Sequence, residues 1–231
     1  MNTPTLVIGN KNYSSWSLRP FMALAMANIP FQEKLIRFDD GYVRFTPAVR
    51  RISKAGQVPV LLHKGLTIWD TLAILEYLAE TWPDKNLWPK NRAARAMARS
   101  ASAEMHAGFR HLRNACPMNL RRPTGAVPMD DGVRGDVARV EALWRQCRKT
   151  HGKGGPFLFG KFSNADAMFA PVATRLETYD IKIASDTRHY VNAILATPAF
   201  HDWKDAALKE KWIFAADEVD APQASDTLPP A

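Results

Sequence analysis

Leu6-Val7-Ile8 followed by Asn10-Lys11-Asn12-Tyr13-Ser14-Ser15-Trp16-Ser17-Leu18-Arg19-Pro20 is the stretch on which the fold turns. A short apolar run breaks into a polar, serine-rich turn and then becomes helical. Residues 4–9 read as a buried strand. Leu18, Phe21, Met22, Leu24 and Ala25 then recur at helical spacing, with Pro20 admissible in a first turn. A strand feeding a hydroxyl-rich turn at a helix N-terminus leaves free N–H groups and the positive end of the dipole facing outward, a seat for an anion. Asn28-Ile29-Pro30 ends the helix, and the β-prone stretch from Phe31 to Phe38 completes a strand–helix–strand unit.

Working outward, residues 41–55 read as a loop with a short helix, given Pro47 and Gly56. Val58 to Leu62 and Leu66 to Ile68 read as two strands joined at His63-Lys64-Gly65. Leu72, Leu75, Leu78 and Ala79 give a second helix, so the order is βαβ followed by ββα. The turn-rich connector from Thr81 to Pro89 marks a boundary. Beyond it strand signals fade. Helices are expected over 91–115 and 133–150, the latter on the stripe Val133, Val137, Val140, Leu143, Trp144 and Cys147, with a loop over 117–132 between them. Ser163-Asn164-Ala165-Asp166 is a capping box before a helix over Ala167 to Tyr179, and further helices run to about Phe214. The expected division is a domain over 1–82, an all-helical domain over 90–214, and a flexible or surface-draped tail over 215–231, which has three prolines and no lysine or arginine.

Composition narrows the function. No apolar run is long enough to span a bilayer, and the N-terminal run is too short for a signal core. Cys116 and Cys147 form neither a disulfide framework nor a zinc spacing, so the expectation is a cytoplasmic chain with no metal. The net charge of +8 is carried by the middle third, where Arg92, Arg95 and Arg99 recur at helical spacing as on a solvated face. No aromatic interleaving accompanies them, so neither nucleic acid nor a membrane is an expected partner.

The layout, with Ser14-Ser15-Trp16-Ser17, Gln57-Val58-Pro59, Asp70-Thr71 and the Ser163–Asp166 box in this order, resembles the cytosolic glutathione transferases. The resemblance covers about residues 5–214, and the serine motif lies where the zeta, maleylacetoacetate isomerase-like class has Ser-Ser-Cys. It implies a thioredoxin-like N-terminal domain, an all-helical C-terminal domain, a homodimer, and glutathione as cosubstrate with a small electrophile. Trp16 stands where that class has its cysteine, which puts cis–trans isomerisation in doubt. The rival functions are a non-catalytic glutathione or apolar-ligand binder on the same fold and a glutathione-dependent isomerase.

Chemistry gives each motif a task. A free thiol has a pKa of about 8.5 and the thiolate is the nucleophile. A hydroxyl donated to the sulfur contributes about 1.5–3 kcal/mol, equivalent to roughly one to two pKa units. On the resemblance, Ser14 is the first choice for that donor, with Ser15 and Ser17 as alternates; Ser17 also fits the N-cap of the first helix. Tyr13 sits one position early for a tyrosine donor. On the resemblance, Val58-Pro59 is a cis bond that turns the Val58 backbone toward the ligand, flanked by Gln57, and Trp16 also lines that site. Asp70 can accept from the ligand's α-ammonium, and Thr71 with its helix N-terminus can donate to the α-carboxylate. Thr67 to Asp70 also fits a capping box. Glu104, Met105, His106, Phe109, Arg110 and Arg113 are candidates for the electrophile pocket, with His106 and Arg110 on one helical face.

Overall fold

The computed structural model describes residues 3–220. Its first half is a four-stranded mixed sheet in the order β2-β1-β3-β4. β1 (Thr5–Ile8) pairs in parallel with β2 (Gln32–Leu35) and antiparallel with β3 (Val60–His63), which pairs antiparallel with β4 (Leu66–Trp69). Alternation along β1 decides both faces of the sheet. Leu6 and Ile8 join Leu18, Phe21, Met22, Leu61, Leu75 and Leu78 in the main core, while Val7 turns the other way to Phe38, Phe45, Val49 and Val60. Helices α1 (Ser15–Met26) and α3 (Thr71–Thr81) cover the first face, and α2 (Phe45–Arg50) belongs to the second. The strand expected over 31–38 is shorter, because β2 is an exposed edge with no buried side chain to extend it.

The second half is helical: α4 (Arg92–Ala107), α5 (Arg110–Ala115), α6 (Asp131–His151), α7 (Asn164–Thr178), α8 (Ser185–Leu195) and α9 (Pro198–Lys209). The architecture is therefore a thioredoxin-like α/β half followed by an all-α half. α7 is its axis, packed against α1, α4 and α8 and buried along nearly its whole length. The capping box forms as expected: Ser163 donates its backbone N–H to Asp166 Oδ2 at 2.8 Å. Asp166 also accepts from Leu158 N–H at 3.0 Å and Tyr190 Oη–H at 3.1 Å, tying a loop and a second helix to the start of α7.

Four expectations change. The helix over 91–115 is broken at Gly108 and Phe109, with Phe109 in the left-handed region at φ 57°. The N-cap of α1 is Ser14 rather than Ser17, which lies inside the helix. Thr67 is in β4, and α3 is capped by Asp70 alone, whose Oδ1 accepts from Leu72 N–H at 2.8 Å. The tail is ordered at its start: Phe214 is buried beside Tyr13 and Phe38, and Ala215–Asp217 forms a 3-10 turn. Residues 221–231 of the expected tail lie outside the described residues.

Candidate active site

Two helix N-termini, α1 and α3, and the loop before β3 converge on a cavity of about 820 Å³. Ser14, Ser15 and Trp16 line it from α1, Gln57, Val58 and Pro59 from the loop, and Trp69, Asp70 and Thr71 from the β4–α3 corner. The Val58-Pro59 bond is cis, and among the described residues no hydrogen bond of the fold claims the Val58 backbone. Its N–H and C=O are thus free to pair with an extended ligand.

The serines separate by role. Ser14 Oγ accepts from Ser17 N–H at 3.4 Å and lies 2.7 Å from Ser17 Oγ. Ser17 Oγ in turn accepts from Gly9 N–H at 3.2 Å and is fully buried away from the cavity. Ser17 therefore props Ser14 and does not face a ligand. Hydroxyl protons rotate, so the pair shares one proton in either sense and can leave the Ser14 proton free for a sulfur. Ser15 reaches the cavity with no hydrogen bond on its hydroxyl among the described residues. Tyr13 is engaged elsewhere: its Oη donates to Glu218 Oε1 at 2.5 Å, and burial raises its pKa.

Asp70 sits at φ 73°, a region costly for a side-chain-bearing residue. It is held there by its cap to α3 and by a second contact from Oδ2 to His106 Nε2 at 3.2 Å. His106 lines the cavity and lies edge-on to Trp16 at 5.2 Å between ring centroids. Both Asp70 oxygens still keep a lone pair for an ammonium group. Thr71 is buried, its hydroxyl 3.5 Å from Trp16 O.

Of the other proposed electrophile-pocket residues, Arg113 lines the cavity, while Glu104, Met105, Phe109 and Arg110 do not. Met105 and Phe109 are buried in the core and Arg110 is exposed, because the break at Gly108 takes α5 off the line of α4 and separates Arg110 from the His106 face. Beside Arg113, the C-terminal half supplies Asn114, Pro117, Met118, Arg175 and Asp217. Arg175 is buried in α7 and donates to Cys116 O and Pro171 O. Burial brings its pKa down to about 10, with Arg113 adding to the effect. Arg19, fully buried in α1, donates to Met168 O and Ser15 O. Its guanidinium and that of Arg113 both lie over the Trp16 ring, at 4.1 and 4.8 Å. Sequence reading passed over Arg19, Arg175 and Asp217. The available signal was Arg175, the one Lys or Arg of α7, set in its mostly apolar middle, where burying a charge is costly unless it has a task.

Residues 13–81 match the glutathione S-transferase N-terminal domain. Over 201 residues, 85% of this chain and 90% of the relative, the sequence is 29% identical to a maleylacetoacetate isomerase of Rattus norvegicus. It is 35% identical to that of Mus musculus over 48% of this chain, spanning about half (51%) of the relative's length. The fold matches a glutathione transferase homolog from Burkholderia GL BGR1, solved with bound glutathione, with a TM-score of 0.68 at 20% identity over 90% of this chain and 98% of that one. Among the described residues no helix is long and apolar enough to cross a membrane. Residues 13–81 thus carry a glutathione S-transferase N-terminal domain, and the chain as a whole is similar to the maleylacetoacetate isomerases.

Proposed function

We propose that this protein is a glutathione transferase that ionises the glutathione thiol and directs it at a small electrophile. The observation that carries the reading is one cavity faced by the Ser14 end of α1, the free Val58 backbone and the Asp70 cap of α3. These are a thiol donor, a peptide clamp and an ammonium acceptor in the order an extended glutathione presents its groups. Residues 1–82 would hold glutathione and 90–214 the electrophile. Ser14 donates to the sulfur, the dipole of α1 and the Arg19 and Arg113 charges favour the anion, and the thiolate attacks carbon. With an aryl halide a C–S bond forms, the C–halogen bond breaks, and halide leaves with the electron pair.

A second reading is a glutathione-dependent isomerase, favoured by the names of the aligned relatives. There the thiolate adds to a cis alkene conjugated to a carbonyl, the new single bond rotates, and elimination returns glutathione unchanged. Both readings place the protein in the cytoplasm, with Cys116 and Cys147 as buried free thiols. Retention on immobilised glutathione with conjugation of a chloronitrobenzene supports the transferase reading. Retention with cis-to-trans conversion, no net glutathione consumption and no conjugation supports the isomerase. Retention without turnover of either makes the protein a binder, and no retention removes all three readings.

A further inference from the structure

Cations and anions are unevenly matched in the electrophile half of the cavity. Arg113 and Arg175 line it, and Arg19 lies behind Trp16 with its Nη2 unpartnered and buried. Burial, with Arg175 and Arg113 adding to it, lowers the pKa of Arg19, and burial with Arg113 lowers that of Arg175. The acid lining that side is Asp217.

Asp217 belongs to the segment that follows α9, and that segment is pinned on both flanks. On one side Arg121 donates to Glu210 O at 2.6 Å and Trp212 O at 2.5 Å, and Phe214 is buried against Tyr13, Phe38 and Tyr42. On the other, Tyr13 donates to Glu218, and Arg122 makes two hydrogen bonds to the Asp220 carboxylate at 2.7 and 3.0 Å. Ala215 N–H donates to Asp40 Oδ1 at 3.3 Å. The carboxylate is therefore held in the cavity by its neighbours, while no direct ion pair joins it to Arg175 among the described residues.

We propose that Asp217 is a specificity-determining residue: its carboxylate is a built-in counter-charge to Arg175, so the cavity takes uncharged electrophiles while Asp217 is ionised and carboxylate-bearing ones once that charge is gone. This rests on the transferase reading for its substrate and on charge alone for its selectivity. A ligand carboxylate entering beside Asp217 meets like charge, which costs more in a partly desolvated site than in water. With Asp217 neutral, the same carboxylate meets Arg113 and Arg175.

The switch lies in an accessible pH range. Burial pushes the Asp217 carboxyl up to about 6, against the pull of Arg175 and with help from Glu218. The groups facing it are Arg175 from α7, backed by Arg113 from α5, Glu218 on its own segment, and the Tyr42 phenol, whose pKa is raised by burial and by Asp217. Arg175, Arg113 and the Tyr42 phenol hold their charge states through mild acid.

The test compares a chloronitrobenzoate with the matching chloronitrobenzamide, which share the ring and the chloride that leaves. The ratio of their kcat/KM values cancels the pH dependence of the thiolate. From about pH 7.5 to about pH 5.5 the wild-type ratio of benzoate to benzamide should rise about tenfold. In Asp217→Asn the ratio should already be about tenfold higher at pH 7.5 and flat with pH. An unchanged ratio in the variant, or a pH dependence that survives in it, overturns the proposal. Quenching of tryptophan fluorescence by an unreactive nitrobenzoate reads the same site without turnover. If neither halide is conjugated, the transferase reading falls, and nitrobenzoate binding decides for Asp217 if tightened in Asp217→Asn and against it if not.

Discussion

At Ser14, one hydroxyl serves both the helix and the cavity. It caps α1 by accepting from Ser17 N–H, and Ser17 Oγ, anchored on Gly9 N–H, lies behind it. Ser14→Ala should raise the thiol pKa of bound glutathione by about one unit or more, read by the near-ultraviolet absorbance of the thiolate. Ser17→Ala should instead lower stability by about 1–2 kcal/mol, because the buried Gly9 N–H loses its acceptor. If Ser15→Ala moves the pKa and Ser14→Ala does not, the donor is the serine whose hydroxyl has no hydrogen bond in the fold. Asp70 poses the same double duty at α3. Asparagine caps a helix as well as aspartate but cannot hold an ammonium by charge. Asp70→Asn should therefore leave the thermal midpoint nearly unchanged while raising KM for glutathione about tenfold to a hundredfold. A KM equal to that of the wild type would make Asp70 a cap for α3 and a partner for His106, with no part in the ligand.

Among the elements, α7 and the α4–α5 break do most to shape the site. α7 carries Arg175 to the cavity wall, and its register is set by Asp166, which gathers donors from Leu158, Ser163 and Tyr190 in a fully buried position. Burial raises the Asp166 carboxyl to about 6 even against those hydrogen bonds. Removing the shared acceptor leaves buried donors unpaired, so Asp166→Ala should cost about 3 kcal/mol or more, measured as a lower urea midpoint. A loss under about 1 kcal/mol would mean that water replaces the carboxylate. The break after α4 has a local cause: an added Cβ on Gly108 would lie 2.8 Å from Glu104 O, and Phe109 adopts a left-handed conformation. Periodicity alone runs straight through such a point, because the Ala/Arg pattern of 91–115 remains helical on both sides.

For the whole molecule, the proposed homodimer has physical support on the outer edge of the sheet. Leu66 and Trp69 on β4 are 53% and 56% exposed, and an apolar edge strand is usually covered. Nearby, Arg99 on α4 pairs bidentately with Glu76 on α3, so part of the arginine surplus joins the two halves rather than awaiting a polyanion. Light scattering at micromolar concentration should give twice the mass of the chain. A single-chain mass there would leave Leu66 as an isolated surface residue and Trp69 as a residue of the cavity wall alone.

What the chain determines by itself is local. The 2-residue alternation of β1, the 3.6-residue stripes of α1, α3 and α6, the Ser163 box, and the proline before β3 are short-range patterns whose energetics involve neighbours in sequence. From them follow the α/β half and the helical half, while the grouping of Ser14, Val58 and Asp70 on one cavity was legible only through the family resemblance. Tertiary structure alone decided the rest. Whether Ser14 or Ser17 caps α1 depended on Gly9 offering its N–H from the end of a strand. That Arg113 and not Met105 lines the cavity depended on the turn at Phe109. Arg113, Arg175 and Asp217 come from three separate segments, and their charges meet only because packing brings those segments to one wall. Electrostatic matching of that kind acts through space, and sequence separation carries no record of it.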